Sequence, residues 1–238
     1  MKATLLLFLA PWWAIASAAE VNPGTYLEQE VVMEAVSELP SMKGIQKIWF
    51  TDEFIRSETT YQENTSIAIF DLAGGRVLLL QPGDKRYFDM KLADYQRIVG
   101  LRLRRAGVTD PDAKPKLQNT GEQKTIGQWS CTRILFQQAG RVPIQSELWV
   151  AKDSGLDFGA FLKLMQKLGT DVMLGGLAEF AGAIQGYPIE VKTTQVVAGQ
   201  EVVSTTRIVK IAVGPVDPAL FKVPEGYQPV PKEALPQK

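Results

Sequence analysis

The stretch SIAIFDLAGGRVLLLQPGDKRYFDM, Ser66 to Met90, decides the fold. Three runs, Thr65–Leu72, Arg76–Gln81 and Lys85–Met90, are rich in β-branched and aromatic residues. They are divided by Gly74-Gly75 and by Pro82-Gly83-Asp84. Such runs read as strands, and such breaks as tight reversals. Links this short join only antiparallel neighbours, because a parallel pair needs a long crossover. The stretch is therefore a meander.

The same grammar extends in both directions. Upstream, Tyr26–Ala35, Gly44–Thr51 and Phe54–Thr60 read as strands, with Asp52-Glu53 as a reversal. Downstream, Lys124–Gln138, Val142–Ala151, Pro188–Val197 and Glu201–Val213 read the same way. Ala139-Gly140 and Ala198-Gly199-Gln200 supply their turns. The count is about ten antiparallel strands in an α+β chain.

Two helical regions interrupt them. In Lys91–Arg105 the apolar Leu92, Tyr95, Ile98, Val99 and Leu103 recur at helical spacing. Gly107–Gln123 is polar, rich in Pro, Asp and Gly, and reads as a surface connection. The second region is DFGAFLKLMQKLGTDVMLGGLAEFAGAIQGYP, Asp157 to Pro188. Asp157 is a natural N-cap and Gly169 a natural stop. Between them Phe158, Phe161, Leu162, Met165 and Leu168 share one face. A further helix is expected over about Thr170 to Gln185. Val172, Met173, Leu174, Leu177, Phe180, Ala181 and Ile184 make it apolar nearly all round, which suits an interior. At 1.5 Å per residue it reaches roughly 22 Å, short of the ~30 Å bilayer core.

Gly175, Gly176 and Gly182 each cost that helix about 1 kcal/mol relative to Ala. Two readings stand side by side. Gly175, Ala178 and Gly182 form a small-residue stripe for close packing, or the helix is loosely held and moves.

The chain begins MKATLLLFLAPWWAIASAAE. A basic Lys2, an apolar run and a small-x-small site at Ala16-Ser17-Ala18 form a secretory leader. Residues 1–19 are expected to be removed, residues 20–228 to form one domain, and 229–238 to be a flexible tail. Glu20 stands where a lipid-anchored product needs cysteine, so a soluble periplasmic or otherwise exported product is expected, with no membrane span after cleavage.

Composition narrows the chemistry. Lys and Arg number 26 against 26 Asp and Glu, so no net charge favours nucleic acid. No histidine is present, which removes Ser-His-Asp and Cys-His catalysis and every His-ligated metal site. No catalytic residue and no cofactor or metal is expected. Paired carboxylates remain, Asp52 with Glu53 and Asp110 with Asp112, and both read as solvated acid in turns. Cys131, the single cysteine, shares a strand face with Trp129 and Leu135 and reads as an inert buried thiol. Trp49, Trp129 and Trp149 fall in strands, as core or as cavity lining. Arg102, Arg104 and Arg105 suit a helix C-terminus, or anionic lipid head groups. Asn64-Thr65-Ser66 fits a glycosylation sequon, which matters only in a eukaryotic route.

Several segments taken together carry a resemblance. They are KIWFTDEFIR (47–56), the stretch at 66–90, IGQWSCTRI (126–134), ELWVAKD (147–153), Gly186-Tyr187-Pro188 and LFKVPEGY (220–227). The set resembles an uncharacterised family of exported bacterial domains related to the LolA/LolB-like lipoprotein carriers. The resemblance implies a curved antiparallel half-barrel whose concave face is covered by helices. It also implies a cavity that receives acyl chains, and no catalytic residues.

The leading expectation is a non-enzymatic binding protein holding a lipid or acyl chain between sheet and helices. Its cavity would be lined by Phe158, Phe161, Leu162, Met165, Met173, Leu177 and Phe180. The alternative is an envelope protein-interaction or stress-sensing module with a closed core, acting on a protein partner through its surface.

Overall fold

The structure is a computed structural model that describes residues 23–35, 40–105, 115–139, 142–169, 171–180, 182–197 and 199–231. The leader expected at 1–19, Asp110, Asp112 and all but the first three residues of the tail expected at 229–238 lie outside the described residues.

One sheet holds twelve strands, two more than the sequence suggests. In chain order they are β1 (Pro23–Met33), β2 (Met42–Phe50), β3 (Phe54–Tyr61), β4 (Asn64–Asp71), β5 (Arg76–Gln81) and β6 (Arg86–Lys91). Helix α1 (Leu92–Arg105) then leads to β7 (Pro115–Ile126), β8 (Trp129–Gln138) and β9 (Ile144–Ala151). Helix α2 (Phe158–Leu168) and a 3-10 helix (Asp171–Phe180) precede β10 (Tyr187–Val197) and β11 (Gln200–Pro215). A short 3-10 turn (Pro218–Phe221) and β12 (Gln228–Pro229) close the described chain.

The spatial order is β12-β6-β5-β4-β3-β2-β1-β11-β10-β9-β8-β7. Two antiparallel meanders, β1–β6 and β7–β11, therefore meet at a seam where β1 pairs with β11. Among the described strands only β12 runs parallel to its neighbour, β6. Tight reversals work as their residues require. At the β4–β5 link Gly75 adopts a φ of 62, open to glycine at no steric cost, and the Gly74 N–H donates to Asp71 Oδ1 at 2.6 Å.

Three expectations are corrected. Residues 115–123 are strand, not connection: β7 is an edge strand with most side chains in solvent, so it lacks an apolar alternation. Its Asn119-Thr120-Gly121 is a bulge rather than a loop, with Gly121 at φ 74 donating to Asn119 Oδ1 at 3.0 Å. The run Lys124–Gln138 is two strands, reversed at Gly127 with φ 57. The expected helix over Thr170–Gln185 is a 3-10 segment that ends at Phe180, as glycines poor in helix propensity permit.

The two faces of the sheet are covered differently. On one, Leu27, Ile48, Phe50, Ile55, Phe70, Val77 and Leu148 pack beneath the helices. On the other, Ile67, Ile69, Leu78 and Leu80 alternate with them along β4 and β5 and are covered by Phe221, Val223 and Tyr227. The C-terminal LFKVPEGY segment is thus a lid over β4–β5. Phe54 stacks on Phe221 at 5.2 Å, and the buried Arg56 donates from Nη1 to the Leu220 carbonyl at 2.7 Å. Beyond it, the N–H groups of Gln228 and Val230 donate to the carbonyls of Lys85 and Tyr87, both at 2.8 Å.

The sheet is open and curved. Laid flat at about 4.8 Å per strand, β6 and β7 would stand roughly 48 Å apart. Helix α1 packs on β5 and β6 and touches the 3-10 helix, which packs on β7 and β8.

A candidate ligand cavity between sheet and helices

Helix α2 is set by its ends. Asp157 accepts from the Gly159 N–H at 2.8 Å, and Gly169 at φ 67 closes the last turn with its N–H on the Gln166 carbonyl at 2.9 Å. The apolar face then divides between two cores. Phe158 and Leu162 enter the larger one with Leu27, Phe136 and Leu148. Leu164, Met165 and Leu168 enter the smaller one with Ile55, Phe70 and Val77. One helix therefore touches the cores of both meanders.

Beside α2 the packing opens into a cavity of about 240 Å³. Phe158, Phe161 and Leu177 form its helical side. Leu148, Tyr187, Pro188, Ile189, Val191 and Ile208 form its strand side. Gln29, Thr193 and Thr206 are the polar members, and no charged side chain lines it. Tyr187 anchors the aromatic wall, with Phe158 and Phe161 edge-on at 6.0 Å and 5.6 Å. Tyr187 is only 6% exposed, and burial pushes its phenol up.

Of the seven residues expected to line a cavity, the structure brings Phe158, Phe161 and Leu177 to it. Leu162 is buried in close packing, Met165 faces the smaller core, and Phe180 packs edge-on to Phe136 at 6.4 Å. The Met173 side chain lies outside the described residues. Missed from the sequence were Tyr187, Val191, Thr193 and Thr206. The signal was present in β10, where Val191 and Thr193 are two apart and so share a face.

A polar network occupies the sheet face opposite the cavity. Glu190 pairs in register with Trp149 and Arg207, and Lys124 reaches across the Trp149 ring at 4.0 Å. Lys124 Nζ donates to Glu190 Oε1 at 2.8 Å and Arg207 Nε to Oε2 at 2.6 Å. Burial pushes the Glu190 carboxyl up, but these two partners outweigh it and hold the group below the usual carboxylate range. Next to it Glu147 accepts from Arg133 Nη2 at 2.6 Å and from Trp149 Nε1 at 2.7 Å.

The remaining candidates fall elsewhere. Asp52 and Glu53 are exposed in the β2–β3 reversal, where Thr51 Oγ1 accepts from the Glu53 and Phe54 amides. Cys131 is fully buried, and burial pushes its thiol up. Trp129 and Trp149 are core residues. Trp49, with Tyr26 at 5.0 Å, borders a second depression of about 330 Å³ on the other face. Arg102, Arg104 and Arg105 are exposed at the end of α1. Among the described residues no group of three His, Cys, Asp or Glu side chains could hold a metal, and no helix is long and apolar enough to cross a membrane.

Comparison with known proteins adds the following. No curated protein matches the chain. An uncharacterized conserved protein from Thermus thermophilus is similar in structure over 89% of this chain and 91% of its own, at 8% identity and a TM-score of 0.48. A putative outer membrane lipoprotein-sorting protein domain from Vibrio parahaemolyticus is similar over 83% and 88%, at 6% identity and 0.32. A DUF1329 family protein from Desulfovibrio piger is similar over 85% and 91%, at 8% identity and 0.32. The family model for DUF4412, a domain of unknown function, matches residues 28–227, and the chain belongs to that family.

Proposed function

We propose that this is an exported, non-enzymatic binding protein that holds an apolar or lipidic ligand between the helix-bearing, concave face of its sheet and the helices at 158–180. The observation that carries the reading is the cavity of about 240 Å³ whose wall is aromatic and aliphatic with no charged side chain. Concave, mostly apolar sites with a few polar groups are the usual form of small-ligand sites. The volume lies just below the roughly 300–1,000 Å³ common for such sites, which suits one chain rather than a whole multi-chain lipid. The leader expected from the sequence at 1–19 and the resemblance of the sequence to lipoprotein carriers support a periplasmic location in this reading.

The test is titration with an apolar fluorophore whose emission rises on burial. Saturable binding near one site per chain, displaced by single-chain amphiphiles, supports the reading. No saturable binding overturns it in favour of a closed-core module that acts on an envelope partner through its surface.

A further inference from the structure

We propose that the cavity selects a single apolar chain ending in a neutral oxygen function, held by the Tyr187 hydroxyl, and rejects the same chain ending in an ionised group. This rests on the binding reading above and narrows it to a ligand class.

The argument starts from the lining. Tyr187 borders this space, and its hydroxyl has no hydrogen-bond partner among the described residues but is not one of their fully enclosed polar atoms, so it meets open space. A phenol hydroxyl at the wall of a mostly apolar cavity both donates and accepts, so it is placed to fix the orientation of a polar atom of the ligand. Thr206 borders the same space and likewise has no side-chain partner among the described residues. Thr193 is engaged with Ser146 at 3.0 Å. Gln29 donates its amide to Gln46 Oε1 at 2.5 Å, and Gln46 in turn donates to Ser57 Oγ at 2.9 Å, so Gln29 presents its carbonyl oxygen.

An anion finds no countercharge there. No Lys or Arg lines the cavity, and Lys124, Arg207 and Arg133 belong to the network on the opposite face. The start of α2 is closed to anions as well. The amides of Phe158, Gly159 and Phe161 already donate to the Gly186 carbonyl, Asp157 Oδ1 and the Asp157 carbonyl. Asp157 adds a negative charge at that end. An ionised carboxylate accepts from the same hydroxyls but leaves water with no cation to offset its charge, whereas an alcohol, ester or amide oxygen accepts from Tyr187 at a much smaller desolvation cost, and an alcohol or amide also donates to Gln29.

The experiment measures binding of 1-dodecanol, dodecane and dodecanoate at about pH 8, where the acid is ionised. The expected order is dodecanol tightest, with dodecanoate at least about tenfold weaker. Tyr187→Phe is expected to weaken dodecanol about five- to tenfold and to leave dodecane unchanged, which also reports that the cavity is intact. Dodecanoate binding as tightly as dodecanol, or Tyr187→Phe lowering both neutral ligands equally, overturns the selectivity while leaving the binding reading standing. If none of the three binds, the binding reading itself falls. A monoacylglycerol and an N-acylated dipeptide amide of the same chain length then separate a lipid from a lipidated protein as the source. Binding of either supports the class, and binding of neither contradicts it.

Discussion

Gly176 lies against Pro115: a Cβ on Gly176 would meet the proline ring at 2.6 Å, and the Gly176 N–H donates to Gln138 Oε1 at 2.6 Å. Gly176 is thus packed closely where the 3-10 helix meets β7 and β8; the surroundings of Gly175 lie outside the described residues. Gly182, by contrast, has open space around it. Gly176→Ala gains about 1 kcal/mol of helix propensity but forces an overpacked contact that costs roughly 1–3 kcal/mol. Denaturant unfolding is expected to show a net loss of up to about 2 kcal/mol. A net gain would mean that the segment moves freely enough to accommodate the methyl.

Glu190 sets a pH dependence. Its carboxyl is held below the usual range in the folded state, so the unfolded chain takes up the proton first as pH falls. The contribution is complete above the ordinary Glu value of about 4.3 and is lost as pH drops below it toward the folded value. Glu190→Gln should flatten the fall in unfolding midpoint below about pH 4.3 and lower stability near neutrality by about 1–3 kcal/mol. An unchanged acid slope in the variant would contradict the assignment.

Phe221 holds the C-terminal segment over β4 and β5. Phe221→Ala removes its stacking on Phe54 and uncovers Ile67, Ile69, Leu78 and Leu80. The expected loss is about 2–3 kcal/mol. Greater susceptibility of the segment after Val216 to limited proteolysis should accompany it, with the cavity's ligand affinity retained because the cavity is on the other face. Parallel loss of ligand affinity would show that the two faces are coupled.

The first meander was legible because β4 and β5 are runs of Ile, Phe, Val and Leu bounded by Gly and Pro turns. Helix α2 was legible because Asp157, the apolar spacing and Gly169 agree. What stayed hidden was non-local or weakly patterned. β7 is a solvated edge strand, and its bulge at Asn119–Gln123 looks like a loop in sequence. The β1–β11 seam joins Thr25 to Val213 across most of the chain, and no local signal announces it. The cavity was half visible. Its helical wall follows from the apolar face of α2, but Tyr187, Thr193 and Thr206 reach it only through strand pairing. Met165 was misplaced for the same reason, since one helix face serves two separate cores.

The central claim is that the cavity beside α2 is a ligand site, and Val191→Phe tests it most directly. Val191 borders the cavity, so the larger ring fills it without touching the opposite face. Native mass spectrometry of the wild-type chain and the variant, each loaded with 1-dodecanol, reads the outcome. The account predicts near-stoichiometric adduct on the wild type and a loss of at least about tenfold in Val191→Phe, with both chains equally folded by circular dichroism. Equal adduct on both chains, or none on the wild type, would contradict it.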